Sequence, residues 1–214
     1  ILHKLLEVNT KILTLVRCQI LRVFQHIPTK TLFSFRDGGF VVSNNKKLID
    51  RIKVLRNHGI SGKRRDDCIE FGFNSRMDGL QAKILLEKLK GIKSKIINRN
   101  KNARIYKNSL NRKYFKFDEF NKFNKSSYQF FFVICEKRDK LFKFLDSNGI
   151  PVSKYFHIPI YKQKAYVRIF KKKINLKNVN YLEKRVINLP IRESLKKKEI
   201  LYICNLMNKF FEKN

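Results

Sequence analysis

Residues 24–44 read FQHIPTKTLFSFRDGGFVVSN, and the chain is most informative around the lysine at their centre. Pro28 fixes its own φ and pushes Ile27 toward extended backbone, so Ile27-Pro28-Thr29-Lys30 is a stiffened approach to Lys30. Asp37-Gly38-Gly39 breaks the chain again, and Phe40-Val41-Val42-Ser43 reads as a short buried strand ending in the turn formers Asn44 and Asn45. A lysine held between a proline and a Gly-Gly turn, next to a core strand, has the setting of one that forms a Schiff base with a carbonyl group. On these residues alone the plainer reading prevails: Lys30, one of 49 Lys and Arg, reads as a solvated surface charge.

The chain of 214 residues can hold one large domain or two small ones. Its 43% hydrophobic content and 19 Phe exclude disorder as a whole-chain description. A net charge of +32 suggests a nucleic-acid or anionic-membrane partner. The basic residues are spread along the chain, however, and the abundance of Lys, Asn, Ile and Phe is the bias of an AT-rich coding sequence, which favours a solvated basic surface. Cys18, Cys68, Cys135 and Cys204 form no CxxC pair, so reduced thiols are expected. His3, His26, His58 and His157 make no metal-ligand pattern. Lys11, Arg17 and Arg22 interrupt the one apolar stretch that could approach membrane-spanning length, so a soluble, cytoplasmic protein is expected.

Downstream, residues 46–56 place Leu48, Ile49, Ile52 and Leu55 on one helical face, with a stop at Gly59. After a charged loop over 60–70, Asp78 to Gln81 has capping-box spacing and opens a long helix carrying Leu80, Ile84, Leu85, Leu89, Ile92 and Ile96 as a core stripe. From Ser126 the pattern is a compact α+β unit. Residues 128–135 read as a buried strand, 138–145 as a helix ended by Asn148-Gly149, and 152–160 as a second extended segment. The closing helix buries Ile200, Ile203, Cys204, Met207 and Phe210.

Pro28-Thr29-Lys30, Asp37-Gly38-Gly39, Arg56-Asn57-His58-Gly59, Gly72-Phe73-Asn74-Ser75-Arg76-Met77-Asp78, Leu80-Gln81-Ala82 and Leu86-Glu87-Lys88-Leu89 occur in this order. Together they resemble the DegT/DnrJ/EryC1/StrS sugar aminotransferases over about residues 24–214. The resemblance implies an α/β chain of the fold-type-I, aspartate aminotransferase-like class that uses pyridoxal 5′-phosphate. It divides this sequence into an unassigned segment over 1–23, the end of a large cofactor-binding domain with its linker helix over 24–110, and a small α+β domain over 111–214.

The same resemblance implies transfer of an amino group from glutamate to a nucleotide-linked keto-sugar, in amino-sugar or surface-polysaccharide synthesis, by a homodimer with shared active sites. Lys30 would anchor the cofactor and carry the proton. Asn74 would reach the cofactor phosphate across the dimer interface, and Arg76 would orient the donor carboxylate or the substrate. Tyr155, in Tyr155-Phe156-His157-Ile158-Pro159-Ile160, stands where the family has a histidine near the sugar, which assigns Tyr155 to the substrate and leaves His157 and His58 open. Leu189-Pro190-Ile191 matches the family's Leu-Pro-Ile turn.

Departures from the pattern are also legible. Gln25-His26-Ile27 replaces a phosphate-binding serine, Phe33 and Arg36 replace glycines, and residues 1–23 carry neither the acidic partner of the pyridine nitrogen nor the phosphate turn. If Arg36 needs positive φ, the strain costs on the order of 1 kcal/mol. The chain is therefore read as the C-terminal portion of such an enzyme, with a catalytically inactive fragment and a basic nucleic-acid-binding module as the alternatives.

Overall fold

Two antiparallel strands, β1 (Arg22–His26) and β2 (Gly38–Val42), frame the lysine loop, in register from Arg22↔Val42 to His26↔Gly38. They belong to a computed structural model that describes residues 22–26, 30–32, 35, 38–62, 64, 66–117, 126–154, 157–169 and 174–213, with backbone only for 22–26. The chain forms two compact units, residues 1–93 and 94–214.

In the first unit, α1 (Lys46–Leu55) is capped by Asn45, whose Oδ1 accepts from the Leu48 N–H at 3.3 Å. Leu48, Ile49, Ile52 and Leu55 are half-buried, as their helical spacing predicts. Beyond the helix, residues 57–60 and 68–74 run antiparallel through the bridges Asn57↔Asn74 and Ile60↔Cys68. Two glycines permit this approach. A Cβ on Gly59, at φ 78°, would lie 1.6 Å from the Glu70 carbonyl oxygen, and one on Gly72 would lie 2.1 Å from the Gly59 nitrogen.

The single long helix expected from Asp78 onward is instead two helices, α2 (Gly79–Lys90) and α3 (Ile92–Ser109). They meet at Gly91 (φ −94°, ψ 0°), whose N–H turns back to the Lys88 carbonyl at 3.3 Å. Glycine is a weak helix former, and here it marks the break. The expected stripe is corrected as well: Leu85 and Ile92 are buried, but Leu80 is 68% exposed.

In the second unit, β3 (Lys116–Phe117), β4 (Phe131–Ile134) and β5 (Val186–Leu189) form an antiparallel sheet in the order β3-β4-β5. Helices α3, α4 (Arg138–Ser147) and α7 (Lys197–Glu212) bring apolar side chains to the same core. Phe131, Val133, Ile187 and Leu189 are buried with Tyr106, Leu141, Leu145, Ile200, Ile203 and Met207. The strand is thus not buried on both faces, because Phe132 and Ile134 alternate to the other side and are half-buried. Ala103 and Tyr106 of α3, and Leu110 just beyond its end, lie in this core. The two compact units divide at Lys93/Ser94.

Tyr106 donates its hydroxyl to the Pro190 carbonyl at 2.9 Å, which fixes the Leu189-Pro190-Ile191 turn. Arg138 is buried and donates to the carbonyls of Val186 at 2.9 Å and Glu183 at 3.0 Å. Among the described residues of the second extended segment expected over 152–160, pairing is limited to one bridge, Ser153↔Asn188. After Pro159 the chain turns into a 3-10 segment (Ile160–Lys162), α5 (Lys164–Val167) and then α6 (Lys177–Glu183). Among the described residues, no helix is long and apolar enough to cross a membrane, and no group of three His, Cys, Asp or Glu could hold a metal ion.

Candidate functional site

Lys30, Thr31 and Leu32 form a half-buried bend in the connection between β1 and β2. Beside the lysine, the Thr31 hydroxyl is buried and has no hydrogen-bond partner among the described residues. A buried hydroxyl without a partner carries a desolvation cost, so its neighbourhood suits a polar ligand atom. Further along the same connection, the Phe35 N–H donates to Gln81 Oε1 at 3.0 Å, and Lys88 Nζ lies 4.5 Å from the centre of the Phe35 ring. The lysine loop is therefore pinned to α2. Ile27, Pro28, Thr29, Phe33, Arg36 and Asp37 lie outside the described residues.

The pin has a consequence for the capping box. Asp78 caps α2 as expected, its Oδ1 accepting from the Leu80 N–H at 2.7 Å. Gln81, at the third position of the helix, does not return to the cap, because its oxygen is committed to Phe35. One side chain thus joins the lysine loop to the helix that the Asn74–Arg76 motif leads into.

Asn74 and Arg76 are both exposed. Arg76 Nε donates to Asn74 Oδ1 at 3.1 Å, Nη1 donates to Asn57 Oδ1 at 3.4 Å, and Nη2 lies 3.4 Å from His58 Nε2. Since the Asn74 oxygen faces Arg76, its Nδ2 is turned the other way and offers two N–H donors. Backbone hydrogen bonds lock the two segments together: His58 N–H to the Phe73 carbonyl at 3.0 Å, Phe73 N–H to the Leu55 carbonyl at 2.7 Å, and Ser75 N–H to the Arg56 carbonyl at 3.0 Å. The Arg56-Asn57-His58-Gly59 and Gly72–Asp78 stretches, read from sequence as separate motifs, thus form one polar cluster.

None of the three groups facing Arg76 is a carboxylate, and among the described residues no carboxylate forms an ion pair with it. The guanidinium is oriented without being neutralised, which suits it to an incoming carboxylate or phosphate. The Lys30 loop brings Thr31 and the Arg76 cluster brings Asn57, neither given a role by the sequence, and Gln81, read there only as a capping-box residue, joins the loop to α2. A contact between residues 57 and 76, or between 35 and 81, leaves no local signature in composition or spacing.

Tyr155 lies outside the described residues. Its neighbour His157 is exposed and donates through Nδ1 to the Lys154 carbonyl at 3.0 Å. His157 borders a groove of about 810 Å³ in the second unit, whose walls include Ile134, Tyr161, Tyr166, Leu182 and Val186. Tyr161 donates to Asn180 Oδ1 at 2.6 Å, and Lys162 pairs with Glu183 along the rim.

A profile of the DegT/DnrJ/EryC1/StrS aminotransferase family matches residues 18–208. The chain is 28% identical over 202 residues to the UDP-4-amino-4,6-dideoxy-N-acetyl-beta-L-altrosamine transaminase of Campylobacter jejuni, covering 90% of this chain and 53% of that protein. It is 33% identical over 179 residues to the UDP-2-acetamido-2-deoxy-3-oxo-D-glucuronate aminotransferase of Pseudomonas aeruginosa, covering 83% and 48%. Among solved structures, it superposes on a DegT DnrJ EryC1 StrS aminotransferase from Brucella abortus with a TM-score of 0.82 and 29% identity, covering 89% of this chain and 51% of that one. The chain spans about half the length of the curated relatives it matches.

Proposed function

Because the chain belongs to the DegT/DnrJ/EryC1/StrS aminotransferase family, we propose that it serves in the pyridoxal 5′-phosphate-dependent transfer of an amino group from glutamate to a nucleotide-linked keto-sugar. The observation that carries this reading is the link from the Lys30 loop, through Phe35 and Gln81, to the helix entered from Asn74 and Arg76. Two sugar-nucleotide aminotransferases among the relatives support the substrate class.

The residues present suit the cofactor in kind. An amine, a buried Thr31 hydroxyl and an Arg76 guanidinium that have, among the described residues, no hydrogen-bond partner and no carboxylate partner respectively, and an amide with outward N–H groups match an anionic phosphate ester bearing an aldehyde. When bound, pyridoxal phosphate supplies an electron sink for the charge left by removing a proton from the donor's α-carbon. Lys30 Nζ would hold the cofactor through its aldehyde and, when free, would accept and return the proton moved from the donor's α-carbon. Asn74 Nδ2 donates to phosphate oxygens, in a second copy of the chain if the active sites are shared. Arg76 pairs with the donor carboxylate or the substrate, and Tyr155 contacts the sugar.

The reading is tested by incubating the protein with pyridoxal phosphate, glutamate and a UDP-linked keto-sugar while following 2-oxoglutarate release. Cofactor-dependent release that is lost in Lys30→Ala supports it. Release that Lys30→Ala leaves unchanged, or no release across 3-keto and 4-keto substrates, overturns it for this chain.

A further inference from the structure

We propose that His58 is a positioning residue, whose neutral imidazole acts with the Asn57 and Asn74 carboxamides to hold the Arg76 guanidinium in one orientation toward a ligand anion. The proposal rests on the reading of Arg76 given above and extends it to a residue to which the sequence assigned no role.

Three observations carry it. Arg76 meets three acceptors with its three nitrogens: Asn74 at Nε, Asn57 at Nη1 and His58 at Nη2, at 3.1, 3.4 and 3.4 Å. Since a guanidinium only donates, His58 Nε2 must accept, which places the ring proton on Nδ1.

Second, His58 holds φ at 60°, in the left-handed region, and is followed by Gly59 at 78°. Glycine would occupy such a position with less strain, and strained backbone at a polar cluster points to a use for the side chain. Third, the His58 backbone is held without its ring: its N–H donates to the Phe73 carbonyl at 3.0 Å, and its carbonyl accepts from Cys68 Sγ at 3.1 Å. The fold of this turn thus needs the His58 backbone, whereas the ring is directed to Arg76.

His58→Gly separates the two roles, because glycine keeps the left-handed turn and removes only the ring. In the parent protein, long-range nitrogen–proton NMR should find His58 protonated on Nδ1, and Arg76→Ala should return it to the Nε2-protonated form preferred by a free imidazole. In His58→Gly the thermal midpoint should not fall, while Arg76 Nη2–H exchange with water should rise about tenfold on loss of the hydrogen bond made there. His58→Gln, which keeps an acceptor, should restore part of the slow exchange. An Nε2-protonated His58 in the parent, or Arg76 exchange unchanged in His58→Gly, would overturn the proposal.

Glutamate kinetics give the separate readout. The KM for glutamate should rise about threefold to tenfold in His58→Gly, by a larger factor than kcat falls. Accelerated Arg76 exchange with an unchanged KM would support positioning by His58 and overturn the assignment of the donor carboxylate to Arg76.

Discussion

Gln81 accepts the Phe35 backbone N–H at 3.0 Å across 46 residues of sequence, and this bond ties the loop that carries Lys30 to the first turn of α2. Its competitor would be the Asp78 N–H, the ordinary target of a capping-box side chain. The chosen partner is the loop, so the third helical position serves the candidate site more than the helix itself. Gln81→Leu removes the acceptor at similar volume and should destabilise the first unit by about 1 kcal/mol. Gln81→Glu, which still accepts, should retain most of that stability. Denaturant midpoints for the two variants check this, and equal losses would contradict it.

The turn at Gly59 bears on the same cluster. A Cβ there would overlap the Glu70 carbonyl oxygen at 1.6 Å, in a backbone conformation that side chains already disfavour. Gly59→Ala should therefore destabilise the first unit by more than about 2 kcal/mol. Hydrogen exchange should quicken at the Ile69 and Phe73 amides, which now bond across this turn. Unchanged protection there would contradict the account.

Tyr106 anchors the second unit. It is fully buried, its ring stacks on Phe131 with centroids 5.0 Å apart, and its hydroxyl serves the Pro190 carbonyl. Burial holds the phenol proton well above its usual range. Tyr106→Phe keeps the stacking and strands that carbonyl, so it should cost about 1–2 kcal/mol, read as a lower urea midpoint with an unchanged slope.

The thiols give a prediction about pH. Burial pushes both Cys135 and Cys204 up to about 12, whereas Cys68 is exposed. In a Cys18→Ser background the native protein should offer one fast-reacting thiol to an aromatic disulfide reagent at pH 8, and Cys68→Ser should abolish it. The linkage runs the same way for both buried thiols. Each stays protonated in the folded unit after it would ionise in the unfolded chain, so their stability contribution is full below about pH 9 and is lost as pH rises from about 9 toward 12. Urea midpoints across that window should fall more steeply for the parent than for Cys135→Ala/Cys204→Ala.

Helical periodicity made α1 and α7 legible, since Leu48, Ile49, Ile52 and Leu55 and then Ile200, Ile203, Cys204 and Met207 repeat at the spacing of a single buried face. The ordered motifs made the family legible. β1 was not, because Arg22–His26 is short, does not alternate polar with apolar residues, and gains its identity from pairing with β2. The break at Gly91 was missed because the apolar stripe runs through it from Leu89 to Ile92. Asn57 and His58 meet Arg76 only after two glycines let separate segments approach, a long-range condition that spacing along the chain does not encode. At Gln81 a local rule and a tertiary contact compete for the same oxygen, and the tertiary contact wins.

The central claim is that Lys30 is the cofactor lysine, and borohydride reduction of the purified protein with added pyridoxal phosphate, followed by peptide mass mapping, tests it most directly. The account predicts a pyridoxyl group trapped on the peptide containing Lys30 at near one equivalent, absent from Lys30→Ala and reduced in Gln81→Leu. Label scattered over surface lysines at the same level in the parent and in Lys30→Ala would contradict it.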